Sequence, residues 1–371
     1  MRHLIAAALL ALCFACPALA DVPEQVWLQD LVDSTRTEKG VTALGAVIET
    51  GQGEERVAVS GETVKGSGDP VETGDAWHIG SNTKALTALL YARLVDEGLA
   101  EWGATLPELF PDLAADMDAA WQDVTIEDLF AHRSGIGGLG PFWLMSRHAD
   151  KAPLMEQRLE TTRDTLTAPP EGTKGEFSYQ NMNYIIAGAA IEQLLDMTWE
   201  DAFRTYLIAP EGSTWNEGWG FGPPQEGLQG HGTGMFGGLK AKGRGPAADN
   251  PAALGPAGTA HVPLAGHARL LAQFLRSDST FLPVETRDIL LTPRSDDKAS
   301  YALGWGVSQT PGAGLTYSHA GSNTMWLSRA MIAPDLDAVI IVNTNQYDEA
   351  ADDATRQVVD AIIQKLGVQT D

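Results

Sequence analysis

Apolar residues recur every three to four positions in several stretches of this chain, which is the period of an amphipathic helix. The clearest stretch holds Leu86, Leu90 and Leu94, with alanines between them that allow close packing. Another begins after Thr125, whose hydroxyl and the acids that follow are typical of a helix N-terminus. The helices predicted in this way cover residues 23–37, 83–99, 124–130, 151–165, 185–195, 264–274 and 349–366.

Short apolar runs bounded by Gly, Pro and Asp residues predict β-strands in two parts of the chain. Residues 51–54 join two such runs into a hairpin, and Pro334-Asp335 makes a turn near the C-terminus. The run at 338–342 is continuously apolar, so we expect a central strand covered on both faces, with the helix at 349–366 as one cover. The predicted strands are 44–50, 56–59, 76–79, 301–307, 315–321, 325–332 and 338–342.

Residues 211–260 contain many Gly and Pro residues and predict a long loop. A loop of this length is unusual in a compact domain and is often a lid or a binding element. Two interpretations of its aromatic residues stay open, because they could line a pocket or cover the adjacent core. These aromatic residues are Trp215, Trp219, Phe221 and Phe236.

The first twenty residues have the pattern of a secretory signal peptide. Arg2 precedes a short apolar run at residues 4–12, and Ala18-Leu19-Ala20 has the A-x-A form of a cleavage site, so we predict cleavage after Ala20. The apolar run is too short to span a bilayer. Cys16 offers lipidation as an alternative, although the residues before it match a lipoprotein signal poorly. We therefore expect a periplasmic or secreted protein.

Composition then limits the chemistry that the mature chain can use. Both cysteines lie in the leader, so residues 21–371 can form no disulfide, thiol nucleophile or cysteine-ligated metal site. The formal net charge of −24 argues against nucleic acid and anionic membrane surfaces as partners, because phosphate binding needs a basic surface. We expect a small-molecule or peptide substrate, and we assume a monomer.

Several enzyme motifs are absent from the sequence. It has no G-x-S-x-G nucleophile elbow, no H-E-x-x-H, no phosphate loop, and no G-x-G-x-x-G between a strand and a helix. The eight histidines do not cluster at metal-ligand spacing. We therefore expect neither a metal nor an organic cofactor.

The strongest chemical signal is the S-x-x-K motif at Ser81 and Lys84. Residues three apart on a helix share a face, so the lysine could take a proton from the serine. The motif alone is weak, since an N-cap serine followed by a surface lysine gives the same letters. A second copy, Ser295 to Lys298, lies in a polar stretch and is interpreted as a solvated loop.

Two later motifs strengthen the first. Tyr179 and Asn181 form the only Y-x-N in the chain, and in an extended or turning segment both side chains can face one cleft. The alternative is a helix-entry loop with a buried tyrosine. His319-Ala320-Gly321 ends a predicted strand.

The ordered set of Ser81 and Lys84, Tyr179 and Asn181, and His319 to Gly321 resembles the penicillin-recognising serine hydrolases. The resemblance is to the branch that contains class C β-lactamases, D-alanyl-D-alanine carboxypeptidases and related esterases. It covers nearly the whole mature chain, and further segments follow the family in the same order. These segments are 79–84, 126–136, 301–305 and the closing strand with Asn343.

The resemblance implies roles for these residues. Ser81 would be the acylated nucleophile, and Lys84 and Tyr179 would share the general acid and base work, with the order of proton transfer left open. Asn181 would hydrogen-bond the acyl side of the substrate or fix Lys84. The oxyanion hole would be the backbone N–H groups of Ser81 and Ser322.

The third motif departs from class C β-lactamases, which carry Lys-Thr-Gly there. His319 replaces a fixed positive charge with a group expected to be only partly charged near neutral pH. We therefore favour an esterase-like hydrolase of esters, or of amides without an obligatory carboxylate, over a β-lactamase or a carboxypeptidase. A structural His319, and a silent relative that binds peptidoglycan or another protein, are the alternatives.

The resemblance also implies an α+β fold of the β-lactamase and transpeptidase type. An antiparallel sheet flanked by helices would come from residues 21–80 and about 296–371. A mainly helical lobe would come from about 81–295. We expect the active site in the cleft between them.

Overall fold

The computed structural model describes residues 24–234, 237–294 and 300–367. The predicted signal peptide with Cys16, the aromatic Phe236, and the second S-x-x-K at Ser295 lie outside these residues. The helices are α1 (Glu24–Lys39), α2 (Thr83–Asp96), α3 (Leu106–Leu109), α4 (Ile126–Phe130), α5 (Pro141–Ala149), α6 (Leu154–Leu166), α7 (Asn181–Leu195), α8 (Trp199–Phe203), α9 (Gly255–Gly258), α10 (Leu264–Leu271), α11 (Val284–Leu291) and α12 (Glu349–Gly367).

The strands follow the predicted division between the two ends of the chain, with short additions in the middle. They are β1 (Ala43–Thr50), β2 (Glu55–Gly61), β3 (Ala76–His78), β4 (Gly220–Phe221), β5 (His231–Thr233), β6 (Leu239–Ala241), β7 (Ala260–Pro263), β8 (Gly306–Thr310), β9 (Gly314–Ser322), β10 (Leu327–Ala333) and β11 (Ala338–Thr344).

Within the described residues, the main sheet has six antiparallel strands in the order β2-β1-β11-β10-β9-β8. All seven residues of β11 are buried, which confirms the central strand expected from its continuous apolar run. On one face, α1 and α12 bury Val32 and Val358 against Ile340 and Val342. On the other face, α10 packs against β1 and β11. The α+β fold implied by the resemblance is therefore confirmed.

The segment that carries the S-x-x-K motif lies between the sheet and the helical part of the chain. Strand β3 leads into a 3-10 turn at Gly80–Asn82, and α2 follows directly. Lys84 and most other side chains of α2 are buried, so the helix presents no solvated face over most of its length. Ser81 therefore stands on the 3-10 turn and Lys84 on the first turn of the α-helix. The Thr83 hydroxyl donates to Gly80 O at 2.7 Å and stabilises this junction.

The prediction of a strand at residues 301–307 is wrong over most of that range. Residues 302–305 form a tight turn in which Ala302 N–H donates to Trp305 O at 2.8 Å, and β8 begins only at Gly306. Gly304 adopts φ +88°, a conformation that favours glycine. A Cβ there would lie 2.6 Å from Ala85 Cα, so the turn is packed against α2.

Two further segments differ from prediction. Helix α5 is absent from the predicted helices, and it follows a Gly-rich stretch that ends at Gly140, because Pro141 stands at the position where proline is best tolerated in a helix. Residues 211–260 contain several short elements rather than a structureless loop.

The described aromatic residues of 211–260 cover the core. Trp215 contacts Phe281 with ring centroids 4.9 Å apart, and Trp219 contacts Phe203 at 5.4 Å. Phe221 packs edge-on against Trp199 at 5.0 Å. These three rings therefore cover the adjacent core, and Trp215 and Phe221 also line cavities at the surface, so both interpretations left open by the sequence apply.

Candidate active site

Ser81 and Lys84 lie within direct hydrogen-bonding distance. Lys84 Nζ is 3.1 Å from Ser81 Oγ, 2.7 Å from Asn181 Oδ1 and 2.7 Å from the carbonyl oxygen of Ala257. The lysine is fully buried in the first turn of α2. Burial lowers the pKa of Lys84 from its ordinary value of 10.5 to about 7, because desolvation disfavours the ammonium form.

The three contacts of Lys84 suit an ammonium, which can donate to all three oxygens, and also a neutral amine. In the neutral amine, the oxygens of Asn181 and Ala257 each accept one of the two amine hydrogens. The nitrogen lone pair is then free to accept the hydroxyl proton of Ser81. Asn181 is the first residue of α7, which begins four residues earlier than predicted. Asn181 contacts Lys84, which corresponds to one of the two roles that the resemblance implies for it.

Tyr179 lies beside this pair, just before α7. Its ring centroid is 5.0 Å from Lys84 Nζ, and its hydroxyl lies near the Ser81 side chain. Burial of the hydroxyl raises the pKa of Tyr179 to about 12, and the Ser81 contact offsets only part of this increase. The phenol therefore keeps its proton near neutral pH. The residue is still 40% exposed, so one side of it remains accessible to a ligand.

The end of β9 lies directly against the turn that carries Ser81. A Cβ on Gly321 would be 2.0 Å from Ile79 O and 2.7 Å from Ser81 N, and a Cβ on Gly80 would be 2.4 Å from Ser322 N. Only glycines can fill both sides of this contact. The backbone N–H groups of Ser81 and Ser322 are thus on neighbouring segments, as an oxyanion hole requires.

His319 lies on β9 in a buried, hydrogen-bonded position. Its Nε2 is 3.1 Å from Tyr301 Oη, and its Nδ1 is 3.0 Å from Ala320 O. Burial and the charge of Lys84 lower the pKa of His319 to about 3. The expectation of a partly charged histidine near neutral pH is therefore wrong, because the side chain is desolvated. These contacts fit the structural alternative for this residue.

His132 also belongs to the site, although no sequence motif marked it as a site residue. Its ring centroid is 4.3 Å from that of Tyr179, and its Nδ1 accepts from the N–H of Gln180 at 3.2 Å. Its carbonyl oxygen accepts from the N–H of Ser178 at 2.8 Å. The residue adopts φ +58°, a strained conformation for histidine. The only signal in the sequence was the family-like segment at 126–136.

The described part of the chain contains neither a metal-binding cluster nor a membrane-spanning helix. No three His, Cys, Asp or Glu side chains in it converge in a way that could hold a metal ion. None of its helices is both long enough and apolar enough to cross a membrane.

Comparison with known proteins gave a family and several structural neighbours. The family model described as Beta-lactamase matches residues 30–365. Penicillin-binding protein 4 of Amycolatopsis lactamdurans is 32% identical over 189 residues, which are 50% of this chain and 46% of that protein. The chain spans less than half of the length of the curated relatives that it matches.

Solved structures share the fold at low identity. The crystal structure of SurE has a TM-score of 0.75 and 21% identity, and the match covers 93% of this chain and 76% of that one. The D-stereospecific amidohydrolase from Streptomyces sp. has a TM-score of 0.71 and 18% identity, over 91% of this chain and 98% of that one.

Proposed function

The chain belongs to the β-lactamase family, and from this premise we propose that it is a serine hydrolase that works through an acyl-enzyme on Ser81. The observation that carries the proposal is the contact between Ser81 Oγ and Lys84 Nζ at 3.1 Å. A buried lysine with a pKa near 7 and a lone pair directed at a serine hydroxyl is equipped to act as a general base.

In the acylation step, Lys84 Nζ takes the hydroxyl proton of Ser81 while Oγ forms a bond to the substrate carbonyl carbon. The carbonyl oxygen becomes an oxyanion held by the N–H groups of Ser81 and Ser322. When the intermediate collapses, the bond to the leaving group breaks and the leaving atom takes a proton from Tyr179 Oη. Lys84 then returns the proton that it holds to the phenolate. In deacylation, Lys84 Nζ takes a proton from the water that attacks the acyl carbon and passes this proton to Ser81 Oγ as the bond between Oγ and the acyl carbon breaks, which releases the acid product and restores Ser81.

This assignment gives the base role to Lys84 and the acid role to Tyr179, which the sequence had left open. The supporting observation is the separation of their pKa values, about 7 for the amine and about 12 for the phenol. Two groups whose surroundings move their pKa values apart are suited to opposite roles in proton transfer.

For the substrate, we propose a neutral ester, or an amide without an obligatory carboxylate. A fixed cation on β9 would favour a substrate carboxylate, but His319 at that place is neutral and engaged with Tyr301 and Ala320. The alternatives are D-Ala-D-Ala carboxypeptidase activity and β-lactamase activity. A silent binding protein is disfavoured, since it would not need Ser81, Lys84 and Tyr179 in contact.

We also propose that residues 21–371 act as one hydrolase domain of two lobes that is exported after cleavage at Ala20. Because α10 packs on the main sheet, the sheet lobe in this proposal includes α10 together with residues 21–80 and about 296–371. N-terminal sequencing of protein recovered from the periplasm or medium should give Asp21. Recovery of Met1 in the cytoplasm would refute export.

The enzyme proposal is tested with the mature protein, Ser81→Ala and Ser295→Ala. The last is a matched control, because it removes the serine of the second S-x-x-K. We expect an active-serine phosphonate probe to label wild type and Ser295→Ala but not Ser81→Ala. Initial rates on a short p-nitrophenyl ester, a chromogenic cephalosporin and a D-Ala-D-Ala peptide then rank the substrates. Absence of labelling and of Ser81-dependent turnover in folded protein would refute the proposal.

A further inference from the structure

A buried, hydrogen-bonded pair of side chains lies next to the candidate active site without touching its reacting atoms. His78 Nε2 is 2.9 Å from Asp249 Oδ2, with 1% and 5% of the two residues exposed. The residues are far apart in sequence, since His78 ends β3 and Asp249 follows a 3-10 turn at Pro246–Ala248. Burying such a pair costs desolvation, which the hydrogen bonds of both side chains must offset.

One arm of this set leads to the turn that carries Ser81. The N–H of Gly80 donates to His78 Nδ1 at 3.1 Å. A backbone N–H can only donate, so Nδ1 carries no proton and Nε2–H donates to the Asp249 carboxylate. The position of the Gly80 N–H, one residue before Ser81, is therefore fixed by Asp249 through the imidazole.

The other arm leads to the end of β9. Asn323 Nδ2 donates to Asp249 Oδ1 at 2.8 Å, and Asn323 directly follows Ser322. Asn323 Oδ1 in turn accepts from the N–H of Met325 at 3.2 Å, which holds the residue in the turn before β10. The same carboxylate thus contacts both segments that carry the N–H groups of the proposed oxyanion hole.

We propose that Asp249 is a positioning residue that sets the separation between the Ser81 and Ser322 N–H groups. The inference rests on the proposed function, because it concerns the oxyanion of that reaction. Each carboxylate oxygen serves one segment, with Oδ2 bound to His78 and Oδ1 bound to Asn323. A change at Asp249 alters both distances at once, and an oxyanion hole is sensitive to displacements of this kind.

The chain offers an exchange that tests the bridge. In Asp249→Asn, the amide oxygen can still accept from His78, but the amide NH₂ then faces the NH₂ of Asn323. In Asn323→Asp, two carboxylates face each other. The double variant restores a donor and an acceptor between positions 249 and 323, keeps the contact with His78, and loses only the bond from Asn250 N–H.

The readout is kcat on the p-nitrophenyl ester per mole of Ser81 that the phosphonate probe titrates. This normalisation removes any loss of folded protein. We expect each single variant to lose about tenfold or more in kcat with KM changed less than about twofold, since the oxyanion forms only in the transition state. The double variant should recover to within about threefold of wild type.

Two further variants keep the test decisive. If either single variant fails to fold, Asn323→Ala removes one arm and leaves His78 with Asp249, and it should show the same loss in kcat. Asp348→Asn is the matched control, because its carboxylate accepts from the N–H of Ala351 at the start of α12, away from the site. It should lower the melting temperature and leave kcat per titrated Ser81 unchanged.

The possible outcomes separate this inference from the proposed function. Wild-type kcat in the variants at 249 and 323, or no recovery in the double variant, would overturn the positioning role alone. A wild-type protein without Ser81-dependent turnover would overturn the proposed function and this inference with it.

Discussion

The contact between Gly321 and the turn at Ser81 gives a prediction whose size can be worked from the structure. In Gly321→Ala the new Cβ would lie 2.0 Å from Ile79 O and 2.7 Å from Ser81 N. Both neighbours are backbone atoms, so a rotamer change cannot relieve the overlap. To restore an ordinary contact, β9 and the Ser81 turn must move apart by about 1 Å. A misplacement of that size in a catalytic site costs roughly 10²-fold in rate.

The assay is kcat/KM for the p-nitrophenyl ester, measured beside thermal unfolding. The expected loss of about 10²-fold corresponds to about 2.7 kcal/mol in the activation free energy. Gly74→Ala is the control, because a Cβ at Gly74 meets nothing within 4 Å. If Gly321→Ala kept kcat/KM within about threefold of wild type at an unchanged melting temperature, the close approach of β9 to Ser81 would be refuted.

Three further predictions concern charge. In the proposed mechanism the neutral form of Lys84 is the base, so kcat/KM should rise about tenfold per pH unit below pH 7 and level off above it; a flat profile from pH 5 to 9 would contradict this. Burial lowers the pKa of His267 to about 3, so the unfolded chain binds a proton between pH 3 and 6.5 that the folded chain does not, and stability falls as pH drops through this window. Between pH 7.5 and 5, the free energy of unfolding of His267→Leu, measured in urea, should fall by about 2 kcal/mol less than that of wild type. An equal fall in both proteins would refute the assignment. Arg158→Met leaves Glu192 and Glu200 buried without their cation and should lower the free energy of unfolding by about 3–5 kcal/mol; a loss under 1 kcal/mol would show that the two carboxylates find other partners.

The elements that the sequence predicted well are those whose signal is local. The repeat at Leu86, Leu90 and Leu94 marks α2, and the capping box at Thr125 marks the start of α4, where the structure has both of its hydrogen bonds. The continuous apolar run at residues 338–342 correctly predicted that β11 is a central strand of the sheet. In each case the pattern follows directly from the burial of one helix or strand.

The features that the sequence could not supply depend on distant contacts. Nothing near Asp249 shows that its carboxylate meets His78, which lies 171 positions away. The charge state of His319 depends on burial by Tyr301 and its neighbours, which is a tertiary effect. The turn at 302–305 looks like a strand in sequence because its apolar residues, Ala302, Leu303 and Trp305, are buried in the core without pairing with a neighbouring strand.

The pairing of β1 with β11 has a consequence for how the molecule folds. Leu44 lies opposite Thr344, so two neighbouring strands of the sheet come from positions about 300 residues apart, a topology of high contact order that folds slowly. During synthesis the apolar hairpin of β1 and β2 stays unpaired with β11 until almost the entire chain has emerged. Because Gly80 meets Ser322 only after β9 has joined the sheet, no shorter nascent chain can hold the complete site. Assembly of the sheet and acquisition of activity should therefore occur as one late event, and refolding monitored by tryptophan fluorescence should keep pace with the return of ester hydrolysis.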